Sequence, residues 1–93
     1  MASPKIFNWS SDKNLLLLRD RGISFERIVF EISCGNELEV LEHPNQAKYP
    51  GQKISIVEVG DYVYAVPFIE TGSEIFLKTI IPSRKATRKY RSL

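Results

Sequence analysis

The sequence predicts an α+β fold, with two N-terminal helices and a C-terminal helix packed on one face of an antiparallel sheet of three or four strands. Three observations carry this reading. Before residue 35 the apolar residues recur at helical spacing; from Leu38 to Ile81 the period changes to two; after Pro82 a run without breakers returns to helix formers.

Lys5-Ile6-Phe7-Asn8-Trp9 reads as a short first strand or an extended lead-in. Ser10, Ser11 and Asp12 are helix-start residues, and a first helix runs from about Asp12 to Arg21. Gly22 is its natural stop, because glycine enters the left-handed region without strain. Ser24 then caps a second helix from Phe25 to Cys34, whose apolar positions Phe25, Ile28, Val29 and Ile32 fall on one stripe. Gly35-Asn36 closes it, and Leu38 opens a short strand ending near Glu42. Two prolines and a glycine make His43 to Gln52 a loop. Lys53 to Val59 alternates, with Ile54 and Ile56 on one face and Ser55, Val57 and Val59 on the other. Gly60-Asp61 is a hairpin signal, and Tyr62 to Glu70 pairs back, with Pro67 marking an edge or a bulge. Thr71-Gly72-Ser73 turns the chain into a last strand, Glu74 to Ile81. Pro82 stops that strand. Ser83 is placed to cap a helix over Arg84 to Tyr90, where Arg84, Arg88 and Arg91 share a stripe.

Residues 1–93 suffice for one domain with a single core. No apolar run approaches the ~20 residues of a membrane span; Leu15 to Leu18 is only four. No basic-then-apolar leader opens the chain, so a cytoplasmic protein is expected. Cys34 is the sole cysteine and His43 the sole histidine. That excludes an internal disulfide, a thiolate zinc site and a multi-histidine metal site, and no cofactor is expected.

Charge is split along the chain. The first 81 residues carry eight basic and eleven acidic side chains, whereas the last twelve carry Arg84, Lys85, Arg88, Lys89 and Arg91 with no acid. A tail of +5 on a body of −3 points to a polyanion or an acidic partner.

The ending Ile80-Ile81-Pro82-Ser83-Arg84-Lys85-Ala86-Thr87 resembles the closing motif of the BrnT family of bacterial type II toxins, I-I-S-A-R-K-A-T followed by charged residues and a Tyr. A second block agrees. The family reads W-D-x-x-K-x-x-x-N, a basic helix, then H-G-V/I-S-F-E; here stand Trp9, Asp12, Lys13 and Asn14, then Arg21-Gly22-Ile23-Ser24-Phe25-Glu26. The two blocks lie in the family's order at the two ends of the chain. The middle is least alike. An Arg near the start of the family's second long strand is replaced by Lys48, Gln52 and Lys53, an Arg of its closing strand by Lys78-Thr79, and its S-A pair by Pro82-Ser83.

The resemblance implies a RelE-like fold and a toxin that cleaves RNA without metal, stopping translation until neutralised. It implies a ribbon-helix-helix antitoxin laid over the basic face, with DNA contacted only through that partner. Such cleavage needs a group to take the 2′-hydroxyl proton, charge to stabilise the phosphate, and a proton for the leaving 5′-oxygen. Arg84, held at the strand-to-helix junction of the motif, is the first candidate for the phosphate; the alternative is a salt bridge to Asp12 or a glutamate. Lys78, alone in an apolar strand and expected on the opposite face to Leu77 and Thr79, and Lys53, beside the loop, are further catalytic candidates. His43 joins them as the residue type that most often moves protons near neutral pH, its alternative being an ordinary loop residue. Trp9 and Lys13 are candidates for base stacking and phosphate binding, against the alternative of core and helix surface. Lys48, Lys85 and Arg88 complete the expected RNA contacts. Tyr62 and Tyr64 share a face and serve either as a stacking surface or as core. The rival function is a non-catalytic nucleic-acid-binding or adaptor module that uses the basic C-terminal helix.

Overall fold

Apolar side chains alternate onto both faces of the two longest strands, so both faces need cover, and the architecture follows from that. The structure, a computed structural model, describes residues 5–91. Its elements run β1 (Ile6–Trp9), α1 (Ser11–Arg21), α2 (Phe25–Ser33), β2 (Glu37–Glu42), β3 (Gln52–Val59), β4 (Tyr62–Thr71), β5 (Glu74–Leu77), β6 (Ile81–Pro82) and α3 (Arg84–Arg91). Residues 92 and 93 of the basic tail lie outside the described range.

The class is α+β, as the sequence predicts, and the caps stand where they are expected. Ser10 Oγ accepts the Lys13 N–H at 3.2 Å, and Ser24 Oγ accepts the Arg27 N–H at 3.2 Å. Gly22 ends α1 with φ +69°, its N–H reaching Leu18 O at 3.0 Å. Asn14 Oδ1 accepts the Phe25 N–H at 2.7 Å and so fixes the start of α2 against α1.

The sheet is larger than the sequence predicts, and mixed rather than antiparallel. Its order is β1-β5-β4-β3-β2, with β6 pairing β4 beyond the end of β5. The lead-in becomes a parallel edge strand, Ile6 opposite Glu74 through Trp9 opposite Leu77. The expected placement of all three helices on one face is also corrected. Leu17, Phe25 and Ile28 of α1 and α2 bury against Val57, Val66 and Leu77 on one face. On the other, Ala86 and Tyr90 of α3 cover Ile54, Ile56, Val63 and Ala65. Each fully buried aliphatic or aromatic side chain contributes about 1.5–3 kcal/mol, so two small cores, not one, hold the sheet.

The predicted strand from Glu74 to Ile81 is broken. Leu77 stands opposite Phe68, but Ile81 stands opposite Ala65, so the three residues between them, Lys78, Thr79 and Ile80, face only two, Pro67 and Val66. This bulge has a cause in Pro67. Pro67 O accepts the Lys78 N–H at 2.8 Å, so Pro67 directs its main chain towards this neighbour. Lacking an N–H, it cannot complete the ladder there, and the facing strand bulges at Lys78-Thr79-Ile80. Pro67 therefore lies within an interior strand whose neighbour bulges. Pro82 does not stop the strand either; it pairs with Tyr64, and the helix begins two residues later.

No helix among the described residues is long and apolar enough to cross a membrane.

Candidate functional site

The bulge shapes a concavity on the α3 side of the sheet. A cleft of about 410 Å³ lies between the β2–β3 loop and the bulge, lined by His43, Tyr49 and Gln52 on one side and by Lys78, Thr79 and Ile81 on the other, with Pro67 in its floor. Two expected site residues, His43 and Lys78, distant in sequence, thus meet in one cleft. Thr79 shares it with Lys78. The extra residue undoes the alternation that would have sent those side chains to opposite faces.

The loop wall is cross-linked by hydrogen bonds. Gln46 Nε2 donates to His43 O at 2.8 Å and Gln52 O at 3.2 Å, while Gln46 Oε1 accepts the Gly51 N–H at 3.0 Å. Asn45 Oδ1 accepts the Lys48 N–H at 3.1 Å. The His43 and Tyr49 rings lie 4.5 Å apart, centroid to centroid. The Asn45 N–H donates to His43 Nδ1 at 3.0 Å, which leaves Nε2 to carry the proton of the neutral ring. His43 Nε2 is then a hydrogen-bond donor, suited to a phosphate oxygen and unsuited to accept the 2′-hydroxyl proton.

Lys78 is exposed, its ammonium 5.7 Å from the centre of the Phe76 ring. Lys48, also exposed, stands 5.3 Å from the centre of the Tyr49 ring. The bulge behind Lys78 is tied from across the sheet: the Arg21 guanidinium at the end of α1 donates to Ile80 O.

Beyond Ile81 the chain turns into α3. Ser83 Oγ accepts the Ala86 N–H at 3.0 Å, the cap the sequence predicts. Arg84 opens the helix exposed, with no ion pair among the described residues; neither Asp12 nor a glutamate holds it. Lys85 borders a second groove of about 270 Å³ between α3 and β2, floored by Leu41, Ile56, Ala86 and Tyr90. Arg88 is exposed on the same helix, whereas Lys89 pairs with Glu39 at 3.4 Å and Arg91 with Glu58.

The structure does not bring the other candidates to this cleft. Lys53 alternates with Gln52 onto the opposite face, where Glu70 holds it at 3.6 Å. Lys5 also binds Glu70, and mainly this contact holds that carboxyl below the usual glutamate range. Trp9 stacks on Phe25 with centroids 5.7 Å apart and packs, partly buried, on the main core, away from the cleft. Lys13 sits in α1 on that same side. Tyr62 and Tyr64 do share a face, 5.6 Å apart, but Tyr64 is packed against the main core.

No family model, curated protein or solved structure matches the chain.

Sequence reasoning met Gln52 and Thr79 only as replacements of the resembled family's arginines and did not make them site candidates. Gln52 had a signal, since its alternation with Ile54 and Ile56 puts it on an otherwise apolar face. Thr79 had none, because the bulge that turns it is set by a proline on another strand.

Proposed function

We propose that the protein is a cytoplasmic toxin of a type II toxin–antitoxin pair, a metal-independent endoribonuclease of the kind its two end motifs resemble. One observation carries the reading: His43 and Lys78 line a single cleft whose wall at Ile81 leads into the exposed Arg84, which has no ion pair among the described residues. The phosphate of a bound strand sits between cations. Arg84 offers a planar fork and Lys78 a point charge to the oxygens that gain charge as phosphorus becomes five-coordinate. His43 Nε2–H donates a third hydrogen bond. The 2′-oxygen attacks phosphorus, its proton passing to a base other than neutral His43; the bond to the 5′-oxygen breaks, and that oxygen takes up a proton. A ribbon-helix-helix antitoxin would cover Arg84, Lys85 and Arg88 and deny phosphate access. DNA is met through that partner alone.

Tightly induced expression, with RNA mapped at its 5′ ends, tests this. Wild type should arrest growth and produce new ends. Arg84→Ala and Lys78→Ala should lose both while remaining folded, since one lost donor to a developing oxyanion costs roughly 10²–10³ in rate. Arrest by a folded Arg84→Ala protein would take Arg84 out of the site. Unchanged growth and intact RNA with folded wild type would leave the non-catalytic binding module in its place.

A further inference from the structure

The cleft contains more than phosphate chemistry requires. We infer that Tyr49, Gln52 and Thr79 form a pocket for one unpaired RNA base, adjacent to the phosphate site, and that this pocket sets sequence preference. The inference rests on the ribonuclease reading for the identity of the polymer, but its geometry is independent of catalysis.

Four observations meet here. First, Tyr49 borders the cleft, half-buried, and its main chain is tied on both sides: its N–H donates to Asn45 O at 2.9 Å and its carbonyl accepts the Gln52 N–H at 3.2 Å. His43 packs against the ring, tilted by 41°, and the exposed Lys48 ammonium stands 5.3 Å from its centre, where an incoming base would displace it; Lys78 reaches the same cleft. Such an aromatic is a platform on which a base stacks, and its tied main chain limits the entropy lost on stacking. Second, Gln52 is only 8% exposed and lines the cleft; its carboxamide makes no hydrogen bond among the described residues, none of which has a buried side-chain polar atom without a partner, so the amide opens to the cleft. Its C=O and NH₂ present an acceptor and a donor side by side, the complement of the edge of an unpaired base. Third, Thr79 lines the cleft because of the bulge, and its hydroxyl is another group that can donate or accept. Fourth, the volume of about 410 Å³ falls within the range of ligand sites, ~300–1,000 Å³.

A base in a duplex keeps its pairing edge occupied and its faces stacked, so this pocket takes single-stranded RNA or a flipped nucleotide. Lys78, on the opposite wall from Tyr49, places the phosphate of that nucleotide at the cleavage centre. Base recognition and phosphate binding thus share one cleft with separate side chains.

The test uses the full-length protein and short fluorescent oligoribonucleotides carrying 2′-O-methyl groups, which bind but cannot be cleaved. Anisotropy gives affinity for four oligonucleotides differing only in the central base, and for a duplex. Wild type should prefer single strands and rank the four bases unequally. Tyr49→Leu should weaken binding about tenfold or more, and Tyr49→Trp should restore it. Gln52→Met, of similar size without the amide, should bind with the four affinities drawn together. Circular dichroism confirms that each variant is folded. Equal affinity of wild type and folded Tyr49→Leu, or a base ranking unchanged in Gln52→Met, overturns the pocket. Loss of cleavage ends in cells with these binding results intact would instead sink the nuclease reading and leave the pocket standing. New cleavage ends that persist in wild type while Tyr49→Leu and Gln52→Met bind as wild type would do the reverse.

Discussion

Glu31 shows what a single side chain can hold here. It is buried at the end of α2, and its two oxygens accept from Arg27 Nε at 2.6 Å and Asn36 Nδ2 at 2.7 Å. The Asn36 N–H also donates to Glu31 O at 2.9 Å, so one residue joins α2 to the turn that starts β2. The Arg27 hydrogen bond, then that of Asn36, hold its carboxyl below the usual glutamate range despite burial. The folded state therefore prefers the ionised form more strongly than the unfolded chain does. Its contribution is complete above the ordinary glutamate range and is lost as pH falls below that range through the lowered folded value. Glu26, held mainly by Asn14, and Glu70, held mainly by Lys5, shift in the same direction but are exposed, so solvent weakens their share. Glu31→Gln should cost about 1.5–3 kcal/mol at pH 7 and flatten the fall in stability on the acid side. Urea midpoints taken from pH 7 down to pH 3 measure both; a variant that falls as steeply as wild type would assign the acid limb elsewhere.

At the scale of elements, the closing motif is chiefly a docking device. Ile80 is buried, Ile81 and Pro82 pair with β4, Ser83 caps, and Ala86 packs on the second core. Thr87 completes the joint. Its Oγ1 accepts the Val63 N–H at 2.9 Å and donates to Ser83 O at 2.8 Å, while the Ser83 N–H reaches Val63 O at 3.0 Å. Arg84 and Lys85 are the two charged residues of the eight, both exposed and without an ion pair among the described residues. Thr87→Val keeps the shape but leaves the Val63 N–H unsatisfied under α3, a loss of about 1–3 kcal/mol, whereas Thr87→Ser should stay near wild type. Equal stability of the valine variant in denaturant would mean that Ala86 and Tyr90 alone hold the helix. Local signals made these elements legible. The caps at Ser10, Ser24 and Ser83, the stop at Gly22 and the alternation of Lys53 to Val59 depend on neighbours in sequence. What escaped was set by distant partners. The parallel docking of β1 depends on β5. The second helical face could have been read from Val63 and Ala65, which alternate with buried Val66 and Phe68 and leave β4 apolar on both sides. The bulge needed Pro67 and Lys78 to be known as neighbours. Half the candidate site was legible for the same reason: His43 and Lys78 were visible as isolated oddities, but not as members of one cleft.

Over the whole molecule, the charge split seen in sequence is partly neutralised on folding. Lys89 is drawn to Glu39 on β2, and Arg91 to Glu58 and to Asp61, 3.5 Å away, on the β3–β4 hairpin. These acids lie under the outer end of α3. The helix thus presents Arg84, Lys85 and Arg88 as its exposed cations without an ion pair among the described residues, fewer than the tail's +5 suggests. Binding to a single-stranded polyanion releases counterions in proportion to the phosphates neutralised, with a log–log salt slope of about 0.7 per contact. The three side chains together should supply a slope near 2, to which Lys78 adds if it reaches the phosphate in the cleft. Arg88→Ala should reduce the slope by about 0.7, because it removes a cation that the protein itself does not use. Lys89→Ala should leave the slope nearly unchanged, because phosphate would first have to displace Glu39. Anisotropy of an uncleavable single-stranded RNA between 50 and 200 mM salt separates the two variants. Equal slope losses for Arg88→Ala and Lys89→Ala would show that the acids under the helix do not partition the tail, and that the whole helix meets RNA as one basic surface.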